Sequence, residues 1–259
     1  MDLGIAGRKA IVCASTQGLG LACATALAGE GVEVWINGRD PVRAAAVAAQ
    51  LAVHTGVAVH GVGADITTET GRAALLAACP EPDILVNNNA GPPPGSLADW
   101  DHDQWIGALE ANMLAPALLI RAVAPGMQAR RFGRIVNITS AMVKSPRPPM
   151  ALSTGARAGL TAFAKSLSFE LAPDNVTINN LLPERIDTDR QRFMAERMMR
   201  EQGITLEEAR QRISASIAAK RFGSTKEFGD ACAYLCSRQA GYISGQNLQL
   251  DGGSYHGLI

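Results

Sequence analysis

The sequence has no surplus of either charge: 24 lysines and arginines stand against 24 aspartates and glutamates in 259 residues. A polyphosphate backbone is held by a strong basic field, so general nucleic-acid binding is not expected, although the balance leaves room for local basic patches. Histidine is scarce, and His54, His60, His102 and His256 form no spaced cluster, so no metal site is expected. Cysteine is sparse and odd in number. Cys13, Cys23, Cys79, Cys232 and Cys236 lie in apolar segments, the pattern of buried free thiols in a reducing compartment. Cys232 and Cys236 are one helical turn apart, but no His or second Cys pair accompanies them, and core packing is their expected role. The opening MDLGIAGRK has no apolar signal core, and no stretch reaches the roughly 18 uninterrupted apolar residues of a membrane helix. The expectation is a cytoplasmic protein that contacts neither membrane nor nucleic acid. No Ser/Gly-rich tract, charge block or repeat marks a domain boundary.

What is present is a 47% hydrophobic chain, long enough to bury a core without metal or disulfide staples. Short apolar runs alternate with Ala-rich segments of helical period, the rhythm of a parallel sheet covered on both faces. Strands are predicted at 9–14, 33–37, 58–61, 84–87, 134–139, 177–182 and 247–250. Helices are predicted at 19–29, 41–53, 68–78, 103–130, 154–171 and 225–236. This is one α/β domain of Rossmann type, a doubly wound seven-stranded parallel sheet. Residues 185–220 break the rhythm with a charged, Met-containing insert, which reads either as a lid over a ligand or as a solvated amphipathic helix pair. Its arginines would attract an acidic substrate such as a carrier-linked or CoA thioester. Glu196, Glu201, Glu207 and Glu208 interleave with them, however, and intrahelical pairing is the expectation.

After the first strand the chain reads Ala14-Ser15-Thr16-Gln17-Gly18-Leu19-Gly20 and opens straight into a helix. Glycines at such a turn let backbone N–H groups approach a pyrophosphate, and the helix N-terminus favours the anion. The second strand ends at Asn37-Gly38-Arg39, with no acid to receive a free ribose 2′-hydroxyl. A guanidinium at Arg39 matches a 2′-phosphate instead, which favours NADP(H) over NAD(H).

Further along come Ala64-Asp65-Ile66, Asn88-Asn89-Ala90-Gly91, Asn137-Ile138-Thr139-Ser140 and Asp251-Gly252-Gly253, each closing a predicted strand. In this order and spacing the chain resembles the short-chain dehydrogenase/reductase family over about residues 3–253, especially its 3-oxoacyl-acyl-carrier-protein reductase branch. The resemblance implies hydride transfer between NADP(H) and a carbonyl or secondary alcohol on a small molecule, by a homo-oligomer, dimer or tetramer. It implies that Ser15, Gln17, Gly18, Leu19 and Gly20 form the pyrophosphate turn, that Asp65 and Ile66 meet the adenine, and that Asn89, Ala90 and Gly91 lie by the adenosine ribose. Pro183, Ile186 and Thr188 match the segment near the nicotinamide carboxamide. Asn112 matches the asparagine supporting the proton relay, and Ser140 the serine that polarises the substrate carbonyl.

The departures bear on the chemistry. Ala14 stands where the family's turn begins with Gly, and Glu184 where a Gly follows Pro183. The family's Tyr, thirteen residues after the serine, is here Ser153, and its Lys, four further on, is Arg157. Only Tyr234, Tyr242 and Tyr255 exist, so no shift of register restores a tyrosine. Serine is a poor acid at neutral pH and Arg, with a pKa above about 12, does not exchange protons readily. Three readings follow. In the first, a water held by Ser140 and Ser153 relays protons while Arg157 stabilises the alkoxide; a variant brings Lys144 or Arg147 to the substrate. In the second, the chain binds nucleotide without turnover, as a sensor or partner subunit. In the third, a neighbour's tail lends Tyr255. The run Pro92-Pro93-Pro94-Gly95 is expected to stiffen the rim of the pocket.

Overall fold

Aliphatic runs with no polar face can be buried only if both sides of their sheet are covered, and that is how the strands lie. The computed structural model describes residues 1–258. The strands are β1 (Lys9–Val12), β2 (Glu33–Gly38), β3 (Val59–Gly63), β4 (Ile84–Asn87), β5 (Gly133–Ile138), β6 (Val176–Pro183) and β7 (Asn247–Leu250). They form one sheet of order β3-β2-β1-β4-β5-β6-β7 in which every pair is parallel. Successive residues alternate between two cores: Ala10 and Val12 face one, and Ile11 and Cys13 the other. All five cysteines are buried and free.

The first core is closed by α1 (Gly18–Gly29) and α9 (Thr225–Cys236). Beyond β2 lie α2 (Pro41–Thr55) and α3 (Glu69–Ala78). The second core is closed chiefly by α5 (Ala115–Ala129) and α6 (Ala151–Leu171), with α4 (His102–Leu109) preceding α5. The predicted helix 103–130 is therefore interrupted. Residues Glu110–Leu114 form a π turn in which Ala115 N–H bonds back to Glu110 O. Apolar periodicity is blind to such a one-residue slip, because the helix stays amphipathic on either side of it. The stretch His102–Ala129 is long and apolar enough to cross a bilayer by composition alone. Its Leu119, Ile120, Val123 and Met127 are nonetheless part of the second core. The insert folds as α7 (Asp189–Gln202) and α8 (Leu206–Ala215), which share a small core of Ala195, Ala209 and Ile213.

Four asparagines cross the sheet in register. Asn87 Nδ2 donates to Asn137 Oδ1 at 2.9 Å, Asn137 Nδ2 to Asn180 Oδ1 at 3.0 Å, and Asn180 Nδ2 to Asn247 Oδ1 at 2.8 Å. Each pair stands opposite in the ladder of β4, β5, β6 and β7. The first three are almost inaccessible, so each amide relies on its neighbour. Asn137→Ala strips Asn87 of an acceptor and Asn180 of a donor. The expected cost is about 3 kcal/mol, a fall in Tm of roughly 6–12 °C for a chain of this size. Thermal unfolding of the variant checks this, and an unchanged Tm contradicts it.

Candidate active site

The strand order reverses between β1 and β4, and in open parallel sheets a crevice forms there, at the carboxyl ends of the strands. The turn after β1 supplies its floor. Ala14 has φ 44°, the left-handed region, which ends the strand two residues before the predicted limit. At Gly20 a Cβ would lie 2.5 Å from Ala14 O and 2.8 Å from Ser15 Cα, so only glycine lets helix and turn pack this closely. Gly18 has φ 58° and open space beyond it. The α1 N-terminus has no side-chain cap, so its first N–H groups are available to an anion.

Ser15 supports this turn from beneath. It is fully buried, its hydroxyl donating to Val12 O at 2.6 Å and accepting from Asn37 N at 3.1 Å, so its side chain braces the turn from within. Asn37 Nδ2 in turn donates to Ala64 O at 2.9 Å and its Oδ1 accepts from Ala14 N at 3.3 Å, fastening turn, β2 and β3 together. Ile66 is likewise drawn into the second core, which leaves Asp65 as the polar group there. Asp65 Oδ1 accepts from the hydroxyl of Thr67 at 2.7 Å and its N–H at 3.0 Å. These bonds, foremost that to the Thr67 side chain, hold its carboxyl below the usual range, with a smaller contribution from the charge of Arg39. Arg39 is exposed just beyond β2. Sequence reasoning missed Arg43, in the first turn of α2, whose guanidinium donates to Gln17 Oε1 and so reaches the glycine turn. Its place beside the capped start of α2, at Asp40, was the available signal.

Across the crevice, Asn88 Nδ2 donates to Ala14 O at 3.0 Å, tying β4 to the turn. Asn89 Nδ2 donates to Ala111 O at 3.1 Å, inside the π turn. The same turn carries Asn112, whose amide donates to Ala108 O at 3.3 Å and Ala90 O at 3.5 Å. Ser140, at the end of β5, accepts from Met142 N at 3.2 Å through Oγ, leaving its hydroxyl proton free to donate. On α6, Arg157 Nη1 donates to Ser153 Oγ one turn back, and Nη2 donates to Asn89 O at 3.3 Å. A Cβ at Gly91 would lie 2.8 Å from that guanidinium, so the glycine lets the cation lie on the backbone. Burial, and then the charge of Arg190, lower Arg157 to about 10. That corrects the expectation of a value above 12 but leaves the group cationic at neutral pH.

One cleft of about 760 Å³ contains Gln17, Gly18 and Leu19, Asn89 to Gly91, Ser140, Ser153, Arg157, Pro183, Ile186 and Thr188. Asn112 instead lines an adjoining pocket of about 420 Å³ with Trp100, Pro92, Pro93 and Pro94, of which Pro94, with Ala90 and Gly91, also lines the larger cleft. Lys144 is not in the cleft lining, and its ammonium sits 5.1 Å from the Tyr255 ring of its own chain. Arg147 is in the lining and pairs with Glu184 at 2.6 Å, anchoring the loop before α6 to the end of β6. The pairing gives Glu184, the departure from glycine, a role that its sequence position does not disclose. Met142, Met150, Met194 and Met198 supply an apolar wall.

Comparison with known proteins agrees with this geometry. The family model described as enoyl-(acyl carrier protein) reductase matches residues 13–255. The NADPH-dependent reductase BacG of Bacillus subtilis is 31% identical over 252 residues, 95% of this chain and 97% of that protein. The 3-oxoacyl-[acyl-carrier-protein] reductase FabG of Aquifex aeolicus is 33% identical over 265 residues, 98% of this chain and 100% of that protein. Among solved structures, L-sorbose reductase from Gluconobacter frateurii, complexed with NADPH and L-sorbose, superposes with TM-score 0.94 at 29% identity, each chain fully covered.

The left-handed alanine at the start of the turn generates a prediction. An L-residue in that conformation costs roughly 1–2 kcal/mol, against about 0.5–1 kcal/mol of extra chain entropy lost by glycine. Ala14→Gly should therefore stabilise the protein by about 0.5–1 kcal/mol, seen as a small rise in Tm. A lower Tm would show that Ala14 is unstrained.

Proposed function

The chain belongs to the short-chain dehydrogenase/reductase family, and from that premise we propose an NADPH-dependent reductase of carbonyl compounds in which Ser153 and Arg157 stand in for the family's tyrosine and lysine. The reverse reaction is oxidation of a secondary alcohol. The observation that carries the reading is the joined pair Ser153–Arg157, in one cleft with Ser140 and the glycine turn. The relatives are reductases by name, and the alternative of nucleotide binding without turnover has no support from them.

The residues fit NADP(H). Gly18, Leu19 and the uncapped start of α1 offer N–H donors to the diphosphate, Asp65 keeps Oδ2 for the adenine, and Arg39 with Arg43 provides charge for the 2′-phosphate. When bound, the reduced nicotinamide supplies the hydride. The Ser140 hydroxyl donates to the substrate oxygen, whose growing negative charge is met by Arg157 through Ser153. Arg157 releases no proton at neutral pH, so the oxygen is protonated by solvent held between the two serines. Asn112 holds the π turn against Ala90 and so positions the wall beneath Gly91. We also read α7 and α8 as a lid, since Met194 and Met198 reach the cleft from α7. Leu114, Leu118 and Phe169, exposed on α5, α6 and the π turn, support a homo-oligomer, dimer or tetramer. Five free buried thiols support a cytoplasmic location.

NADPH oxidation with a panel of ketones tests the activity. Ser140→Ala and Arg157→Met should each lower kcat by about 10²-fold, the usual loss for one oxyanion donor, and indifference to both would reject the mechanism. Because Arg157 loses its charge near pH 10, kcat should fall as pH rises through that value. Arg39→Ala should weaken NADPH about tenfold, or about 1.4 kcal/mol, with NADH binding unchanged. Titration with both nucleotides checks it.

A further inference from the structure

Among the cleft arginines, two donate only to backbone or hydroxyl oxygens. Arg157 donates to Asn89 O at 3.3 Å and Arg190 to Pro92 O at 3.4 Å, so two cations converge on carbonyls three residues apart. They are close enough for the charge of Arg190 to depress Arg157. Among the described residues neither forms a salt bridge, whereas their neighbours in the cleft are engaged. Arg147 holds Glu184 at 2.6 Å, Arg197 holds Glu201 at 2.6 Å, and Arg185 donates to Gln191 at 3.3 Å. The cleft lining as a whole carries five arginines against Glu184, Asp189 and Glu201. Like charges brought together beside an apolar wall are costly until an anion neutralises them. The diphosphate has its own donors at the start of α1, and the 2′-phosphate has Arg39 and Arg43. Arg190 lines the same cleft as Met194, one turn further along α7, which leaves the pair for the substrate.

Resting on the reductase reading above, we propose that the substrate is a short oxo-carboxylate, its carboxylate gripped by Arg190 and Arg157 and its ketone oxygen turned to Ser140 and Ser153. The planar fork of arginine suits a carboxylate in a way that a lysine ammonium does not. In a 2- or 3-oxo acid the two groups are one or two bonds apart, so one pair of cations serves both. The reaction balances as ketone plus NADPH plus a proton giving the hydroxy-carboxylate and NADP⁺. The hydride bonds to the ketone carbon as the C=O π bond breaks, and solvent supplies the proton to oxygen. The alkoxide forms beside an existing carboxylate, and two cations offset that repulsion where one would not.

Calorimetric titration with malonate and its neutral counterpart malonamide, with and without saturating NADP⁺, tests the site. Malonate should bind at least tenfold more tightly than malonamide. Arg190→Met should abolish most of that preference, Arg190→Lys should retain part of it, and NADP⁺ affinity should be unchanged in both. In turnover, the ratio of kcat/KM for acetoacetate over methyl acetoacetate should fall at least tenfold in Arg190→Met. Equal binding of the two probes by the wild-type protein overturns the proposal. So does a loss of NADP⁺ affinity in Arg190→Met with malonate preference intact, which assigns Arg190 to the cofactor's diphosphate. An Arg190-dependent malonate preference without reduction of either ketone overturns the reductase reading and leaves the carboxylate site standing.

Discussion

The register of the second half of the sheet rests on the asparagine ladder through Asn87, Asn137, Asn180 and Asn247. Strands buried on both faces read as nearly continuous apolar runs, and such runs pair almost as well one step out of register as in it. A buried amide does not tolerate that slip, since a displaced partner leaves donors and acceptors with no water to satisfy them. The ladder thus sets how far each strand projects at its carboxyl end. Asn89 follows two residues after Asn87, Ser140 three after Asn137, and Glu184 four after Asn180. The groups that meet in the cleft are placed by amides that never touch it.

The opposite half of the cleft is held by a second set of buried polar bonds centred on Asn37 and Ser15. Here the constraint is backbone conformation: Ala14 is held at positive φ while its carbonyl accepts from Asn88, and Gly20 admits the close contact that follows. Each half is a rigid polar joint under an apolar sheet, and the crevice between them is where strand order reverses. Precise positioning of small groups in an α/β protein requires such joints, because aliphatic packing fixes volume more tightly than angle.

Most of the fold was legible in the sequence because strand and helix periods are local. The ends of β4, β7 and α9 coincide with the apolar runs and their polar boundaries. The π turn was not legible, since Glu110 to Leu114 keeps the apolar face of the helices it joins. Ser140, Ser153 and Arg157 were legible only through resemblance, which supplied a register against which a missing tyrosine becomes visible. Arg190 and the Arg147–Glu184 pair were not, because what distinguishes them is the company they keep across 37 to 98 residues of chain. The burial of the Ser15 and Ile66 side chains was not legible from motif membership, which gives a place along the chain and not the direction a side chain takes.

On the reading proposed above, serine and arginine in place of a tyrosine–lysine relay change what the cleft can provide. A relay moves protons, so its groups must titrate near working pH. A guanidinium that stays charged to about pH 10 provides electrostatic stabilisation and nothing else. Its reach from α6 is sufficient, because Ser153 and Arg157 share a helical face and Gly91 lets the fork lie against Asn89 O. A permanent cation in a partly apolar cleft is itself unfavourable, and Arg190 adds to that cost. The same charge that stabilises a developing alkoxide therefore also favours binding of any ligand that arrives with a carboxylate. On the proposed reading the proton donor is lost at Ser153, while the preference for an anionic substrate comes from Arg157 acting together with Arg190, so the two properties have separate origins in one cleft.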